Sequence, residues 1–244
     1  MQNPPRNETI NRREMLGLSL ATSLATSTAL MMPAEVKAER QAEDGFVMLF
    51  DGQTLNGWHG DEKIFRVEEG QIVGGNLKDR VERNEFLRTD KQYEDFELRL
   101  EFKLLGERPN AGIQIRTQEI PGDHEVSGYQ ADLGPGWWGC LYDESRRRRV
   151  LAGPASEDRG KPVRENDWNS YRIRCEGKRI RLWINDTQTV DYTETSDDIP
   201  LKGIIAVQVH SGPPMEARYK NIRIRVLDQP VSYTHLTLPT RAQV

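Results

Sequence analysis

Four pairs of polar residues spaced two apart stand out in the chain: Glu101 and Lys103, Gln114 and Arg116, Gln130 and Asp132, and Gln208 and His210. In an extended strand, residues two apart share one face. Each pair therefore points one way, out of a segment that is otherwise rich in Ile, Val, Leu, Ala and Tyr. Amides, carboxylates and arginine bind hydroxyl groups, and an imidazole exchanges protons near neutral pH. Trp138 and Tyr142 lie close by in sequence and offer ring faces to the apolar C–H surface of a sugar. These residue types together predict a sugar-sized cleft. Residue chemistry leaves two alternatives open. Glu101 and Lys103 alone read as an ordinary solvent face, and His210 reads equally as a satisfied structural histidine or a site histidine. His124, inside Asp123-His124-Glu125, is a loop residue placed to touch ligand at the rim.

The elements that must carry these residues are strands. Phe96 to Leu104 alternates without a break, apolar at even numbers and charged at odd ones, with Glu97 the first charge. Trp168 to Cys175 and Arg179 to Asn185 alternate in the same way. Ile64–Val67 and Gln71–Gly74 flank Glu69-Gly70, a hairpin signal. Ile204 to His210 is mostly apolar and reads as a central strand. Asp143 to Asn169 is long and polar, an excursion loop. No amphipathic helix is evident in the mature chain. Many short strands punctuated by Gly, Pro and Asn predict an all-β fold, a jelly-roll sandwich of two antiparallel sheets.

The 244 residues carry a net charge of −4, which gives no global basic signature for nucleic acid. Arg146 to Arg149 read as a solvated basic loop. Cys140 and Cys175 are the only cysteines. One pair is not a disulfide framework, and whether they join is left open. No zinc-type ligand spacing occurs.

Both ends predict segments outside the domain. Arg12-Arg13 precedes a mildly apolar, Ser/Thr/Ala-rich run to Pro33, the pattern of a twin-arginine export signal over residues 1–38. That run is too short for an integral membrane span, so an exported, periplasmic or extracellular protein is expected. Residues 39–45 form a polar linker, and the domain is expected over 46–228. At the other end, Val231-Ser232-Tyr233-Thr234-His235-Leu236 is the peptide that a transposase end sequence used in sequencing libraries would encode. Residues 231–244 are thus expected to be translated adapter, and the same tail in unprocessed genomic DNA would contradict this.

Several segments together resemble one family. They are Phe50-Asp51-Gly52, Leu55-Asn56-Gly57-Trp58, Asn110-Ala111-Gly112-Ile113, Gly128-Tyr129-Gln130-Ala131-Asp132, Trp168-Asn169-Ser170-Tyr171, Trp183-Ile184-Asn185, Gln208-Val209-His210-Ser211-Gly212 and Lys220-Asn221-Ile222. Their order and spacing are similar to the 3-keto-disaccharide hydrolase domain. That resemblance implies a concanavalin A-like fold and a 3-keto-glycoside substrate. A ketone at C3 acidifies the C2 proton, so a base can drive elimination of the C1 substituent before water adds back. His210 is the leading base, with Asp132 or Glu101 second, and Arg116 or a divalent metal ion would hold the developing oxyanion. Gln114, Gln130, Gln208, Lys103, Trp138, Tyr142 and His124 would contact the sugar. The alternative is a non-catalytic carbohydrate-binding module on the same fold. An endoglucanase is disfavoured, because the only E-x-D run, Glu165-Asn166-Asp167, is followed by Ser170 where that class needs a carboxylate.

Overall fold

A computed structural model describes residues 45–227, so the expected export signal, most of the linker and the adapter-like tail lie outside the described residues. The described residues contain strands and turns and no helix. One sheet runs β13 (Thr187–Thr193), β12 (Arg179–Ile184), β11 (Asn169–Glu176), β6 (Phe96–Gly106), β15 (Met215–Val226), β4 (Gln71–Asn76) and β3 (Phe65–Glu68), with β1 (Val47–Met48) beside β15. The other runs β10 (Val150–Ala152), β9 (Leu141–Glu144), β8 (Val126–Leu133), β7 (Ala111–Glu119), β14 (Gly203–Val209), β5 (Glu85–Tyr93) and β2 (Trp58–His59). All pairings are antiparallel.

The alternation that predicted β6 decides its burial. Phe96, Leu98, Leu100, Phe102 and Leu104 enter the core between the sheets, and each such side chain contributes about 1.5–3 kcal/mol by leaving water. They meet Ile113 and Ile115 of β7, Tyr129, Ala131 and Leu133 of β8, and Val207 and Val209 of β14 in one cluster. Tyr219 of β15 crosses that core and donates its hydroxyl to the Gln208 carbonyl at 2.6 Å. A second, smaller cluster of Phe86, Val126, Ile204 and Ala206 lies apart from the main core.

The predicted Glu69-Gly70 hairpin forms for the reason its sequence suggests, and the β12–β13 hairpin uses the same chemistry. Glu69 and Gly70 have φ of 50° and 75°, and Asn185 and Asp186 have 46° and 65°, the left-handed pair required by a tight hairpin turn. The loop 153–168 is tied down by two asparagines from the family-like segments. Asn169 bonds the Arg164 amide and carbonyl at 2.8 and 2.9 Å, and Asn185 donates to the Pro162 carbonyl at 2.7 Å. Cys140 and Cys175 are buried and free.

The Arg146–Arg149 run departs from a solvated loop. Arg146 and Arg147 both pair with the fully buried Asp143 carboxylate, and Arg147 also reaches Glu194 at 2.7 Å. Burying Asp143 requires such partners.

Candidate functional site

Strands β8, β9 and β14 bring their outward positions to one hollow of about 150 Å³, lined by Asn84, Asn110, Gln130, Asp132, Trp137, Tyr142, Glu144 and His210. His210 follows the last residue of β14. Because Val209 faces the core, the imidazole emerges on the opposite face. Its backbone amide donates to the Asn110 carbonyl at 3.0 Å. Its Nδ1 lies 2.7 Å from the Ser211 carbonyl, which can only accept. Nδ1 therefore carries the proton, and in the neutral ring Nε2 is left as the acceptor. The Ser211 amide in turn donates to Asn84 Oδ1 at 3.1 Å, fixing the segment that orients the ring.

Asp132 is held by a directional chain of amides. Thr117 Oγ1 lies 3.3 Å from Gln114 Oε1, Gln114 donates to Gln130, and Gln130 donates to Asp132. Gln130 lies over Gly112, where a Cβ would come within 2.5 Å of its Cδ. Burial pushes the Asp132 carboxyl up to about 8, against the Gln130 hydrogen bond and with help from the nearby Glu144 charge. Burial also raises Glu144, reinforced by the charge of Glu125. The hollow thus holds a carboxyl that stays protonated near neutral pH beside an imidazole with a defined acceptor nitrogen, the combination needed for proton transfer in both directions.

One wall is aromatic. Trp137 and Tyr142 meet edge to face, with centroids 6.0 Å apart. The turn after β8 makes this possible. Trp137 and Trp138 both donate to the Gly134 carbonyl, at 2.9 and 3.1 Å, and as neighbours they diverge. Trp137 is 39% exposed, whereas Trp138 is buried and stacks on Phe102 with centroids 6.1 Å apart.

Of the residues predicted from sequence, the structure brings together His210, Asp132, Gln130 and Tyr142. Trp138 belongs to the core, and its neighbour Trp137 provides the wall. Gln114 supports Gln130 from beneath. Gln208 is fully buried and, among the described residues, its side-chain amide has no partner; it does not line the hollow. His124 stays on the loop between β7 and β8, with Nδ1 2.9 Å from Asp123, and its carbonyl accepts from Arg88.

Three predicted residues lie elsewhere. Arg116 does not share the face of Gln114, because β7 carries a register shift between Ile115 and Gln118 and Arg116 has φ of 50°. Its guanidinium is buried and donates to the Glu94 carbonyl, the Gly177 carbonyl and Asp95 at 2.7, 2.6 and 2.7 Å. Glu101 and Lys103 belong to the other sheet. Glu101 accepts from Asn221 at 2.6 Å and lies 3.3 Å from Lys220, while the Lys103 ammonium sits 5.0 Å from the centre of the Trp168 ring. Alternation on β6 places both correctly on an outward face, but pairing puts that strand across the sandwich from His210.

Asn84, Asn110 and Glu144 were not predicted from sequence as site residues, and of the Trp137-Trp138 pair the sequence reading chose Trp138 as the contact. Glu144 had a signal, since it shares strand parity with Tyr142. Asn84 and Asn110 flank strands with no periodic mark. Among the described residues, no three His, Cys, Asp or Glu side chains converge to hold a metal ion.

The fold is shared with proteins of low sequence similarity. A provisionally assigned glycosyl hydrolase of Parabacteroides distasonis superposes with a TM-score of 0.58 at 22% identity, covering 81% of this chain and 98% of its own. The carbohydrate binding module CBM66 of Bacillus subtilis gives 0.55 at 14%, covering 69% and 95%. The exoplasmic/lumenal domain of VIP36, in a form bound to Ca²⁺ and Man3GlcNAc, gives 0.53 at 10%, covering 77% and 91%. No match was found among curated proteins. A family model, the 3-keto-alpha-glucoside-1,2-lyase-like domain, matches residues 45–225, and the chain belongs to that family.

Proposed function

We propose that this chain cleaves glycosides whose sugar carries a ketone at C3, by elimination followed by hydration, and that the Arg12-Arg13 segment directs it out of the cytoplasm. One observation carries the catalytic reading. A histidine whose tautomer is set by Ser211 and a carboxyl pushed up to about 8 share a small aromatic-walled hollow. Family membership supports the substrate class.

The steps follow from the residues. His210 Nε2 takes the C2 proton, which the C3 ketone has made acidic. The C2 electron pair forms the C1–C2 double bond as the C1–O bond breaks. Protonated Asp132 gives its proton to the departing oxygen. Water then adds its hydroxyl to C1 and its remaining proton to Asp132, while the imidazolium returns a proton to C2. The net change is hydrolysis, and both groups regain their starting states. The Asn110 amide is a neutral donor available to the ketone oxygen as charge develops. Trp137 and Tyr142 seat the apolar face of the ring.

The test incubates the protein with a 3-keto-glucoside and its unoxidised parent, with and without chelator. Aglycone release is expected from the keto form alone, with deuterium entering C2 in heavy water. His210→Gln should lower turnover by about 10²–10⁴-fold while sugar affinity persists. Release from the parent alone would overturn the mechanism. Binding of both sugars with release from neither would establish a carbohydrate-binding module.

A further inference from the structure

The outer face of the other sheet carries a second hollow, across the sandwich from His210. It has a volume of about 340 Å³ and lies over β11, β6 and β15. Its floor is a row of arginines in register: Arg172 pairs with Arg99, and Arg99 pairs with Arg223. Like charges directly opposite one another on neighbouring strands are destabilising, and all three side chains are half-buried. Arg99 pairs with Glu97 at 2.6 Å, a carboxylate it shares with Arg174 and Arg225. Among the described residues, Arg172 and Arg223 have no carboxylate or hydrogen-bond partner. Their contacts are with rings. The Arg172 guanidinium lies 3.8 Å from the centre of the Trp183 ring, and that of Arg223 lies 5.9 Å from Phe46. Stacking on Trp183 occupies the guanidinium's face and leaves its N–H edges for two oxygens of one anionic group.

The remaining lining says more about the ligand. Between Lys220 and Arg223, β15 carries a register shift, with Asn221 at φ of 53°. Such a bulge re-aims side chains, and here it brings Asn221 and Arg223 to the same hollow. Glu101 is engaged by Asn221 and Lys220, so it does not cancel the two arginines. Ser170 and the Asp186 carboxylate complete the lining. Asp186 repels a second anionic group but accepts hydroxyl protons. A polyphosphate or nucleic acid backbone fits that mixture poorly. One anionic group flanked by hydroxyls fits it well.

We propose that this hollow is a second carbohydrate site, specific for an acidic sugar, in which Arg172 and Arg223 bind a carboxylate or sulfate and Asp186, Asn221 and Ser170 bind hydroxyls. It is independent of the reaction assigned to the His210 face and would hold the protein on an acidic glycan.

Titration calorimetry with glucuronate, glucose 6-sulfate, glucose and inorganic sulfate tests it. Glucuronate or glucose 6-sulfate should bind, glucose should bind at least about tenfold more weakly, and binding should weaken as salt rises. Which acidic sugar binds tighter distinguishes carboxylate from sulfate. Arg172→Gln and Arg223→Gln should each lower that affinity by about tenfold. The double Lys variant keeps the charge but loses the planar fork, and should fall between them and the wild type. Aglycone release from a neutral 3-keto-glucoside should be unchanged in every variant, which reports folding and separates this site from the catalytic one. Acidic sugars binding no better than glucose would overturn the proposal. So would variants that bind like the wild type, or inorganic sulfate matching both acidic sugars.

Discussion

Asp132 concentrates the acid–base behaviour of the hollow in one side chain. Its carboxyl is raised from 3.8 to about 8, mainly by burial. Between those values the folded protein keeps a proton that the unfolded chain has released. The folded state therefore binds more protons, and this group's contribution to stability declines as pH rises, by up to about 1.4 kcal/mol per pH unit, levelling off above about pH 8. Asp132→Asn should abolish that slope, leave the variant more stable than the wild type at pH 8, and lower turnover sharply. Urea midpoints measured from pH 5 to 9 on both proteins check this, and parallel curves would contradict it. In the wild type, turnover should fall as pH rises through about 8, because the proton donor is lost.

Strand β7 shows how one irregularity separates function from structure. Its bulge turns Arg116 away from the hollow and into a buried set of bonds to Glu94, Gly177 and Asp95. The strands on either side accommodate the bulge with glycine. A Cβ at Gly128 would meet the Thr117 Cα at 2.7 Å, and one at Gly203 would meet the Arg116 carbonyl carbon at 2.4 Å. Arg116→Met should cost about 3–5 kcal/mol, since it strips a buried ion pair of its cation. The turnover of the folded fraction should not change. Chemical denaturation paired with kcat tests both halves, and a stable variant with impaired turnover would return Arg116 to the site. Strict period-2 reading failed here because one extra residue exchanges the faces of everything after it. It succeeded on β6, β11 and β12 around the outward positions, where the ladder from Tyr171 to Glu176 is regular.

Across the molecule, buried polar ties join the two sheets. Glu194, after β13, accepts from the Tyr129 hydroxyl of β8 at 2.6 Å, from Arg147 at 2.7 Å, and from the Ser196 amide at 3.0 Å. Burial alone would raise its carboxyl, but these donors together pull it well below its ordinary value of 4.5. The sign is opposite to that of Asp132. A depressed carboxyl stabilises the fold above its unfolded pKa, and that stability is lost as pH falls below about 4.5 toward the folded value. Glu194→Gln should therefore destabilise at pH 7 by about 3 kcal/mol and flatten the acid limb. Thermal unfolding between pH 3 and 7 measures it. With Asp132 acting from the alkaline side, the wild type should be most stable in the weakly acidic range.

The chain's own pattern determined most strands, the Glu69-Gly70 turn and which polar groups are candidates for the chemistry. Alternation is a local property, and Glu69-Gly70 and Asn185-Asp186 are local turn chemistry. His210, Asp132, Gln130 and Tyr142 were legible because each is an outward polar or aromatic position in an otherwise apolar strand. Which outward faces belong together was not legible. Glu101 and His210 both point outward, but strand pairing puts them on opposite sides of the sandwich, and nothing in either segment encodes that distance. The choice of Trp137 over Trp138 depends on a turn whose hydrogen bonds converge on Gly134. The raised carboxyl of Asp132 depends on burial and on the charge of Glu144 from β9, which together outweigh the Gln130 hydrogen bond. Proton affinity, like the arginine row on the opposite sheet, comes from neighbours distant in sequence, so only the tertiary structure could decide it.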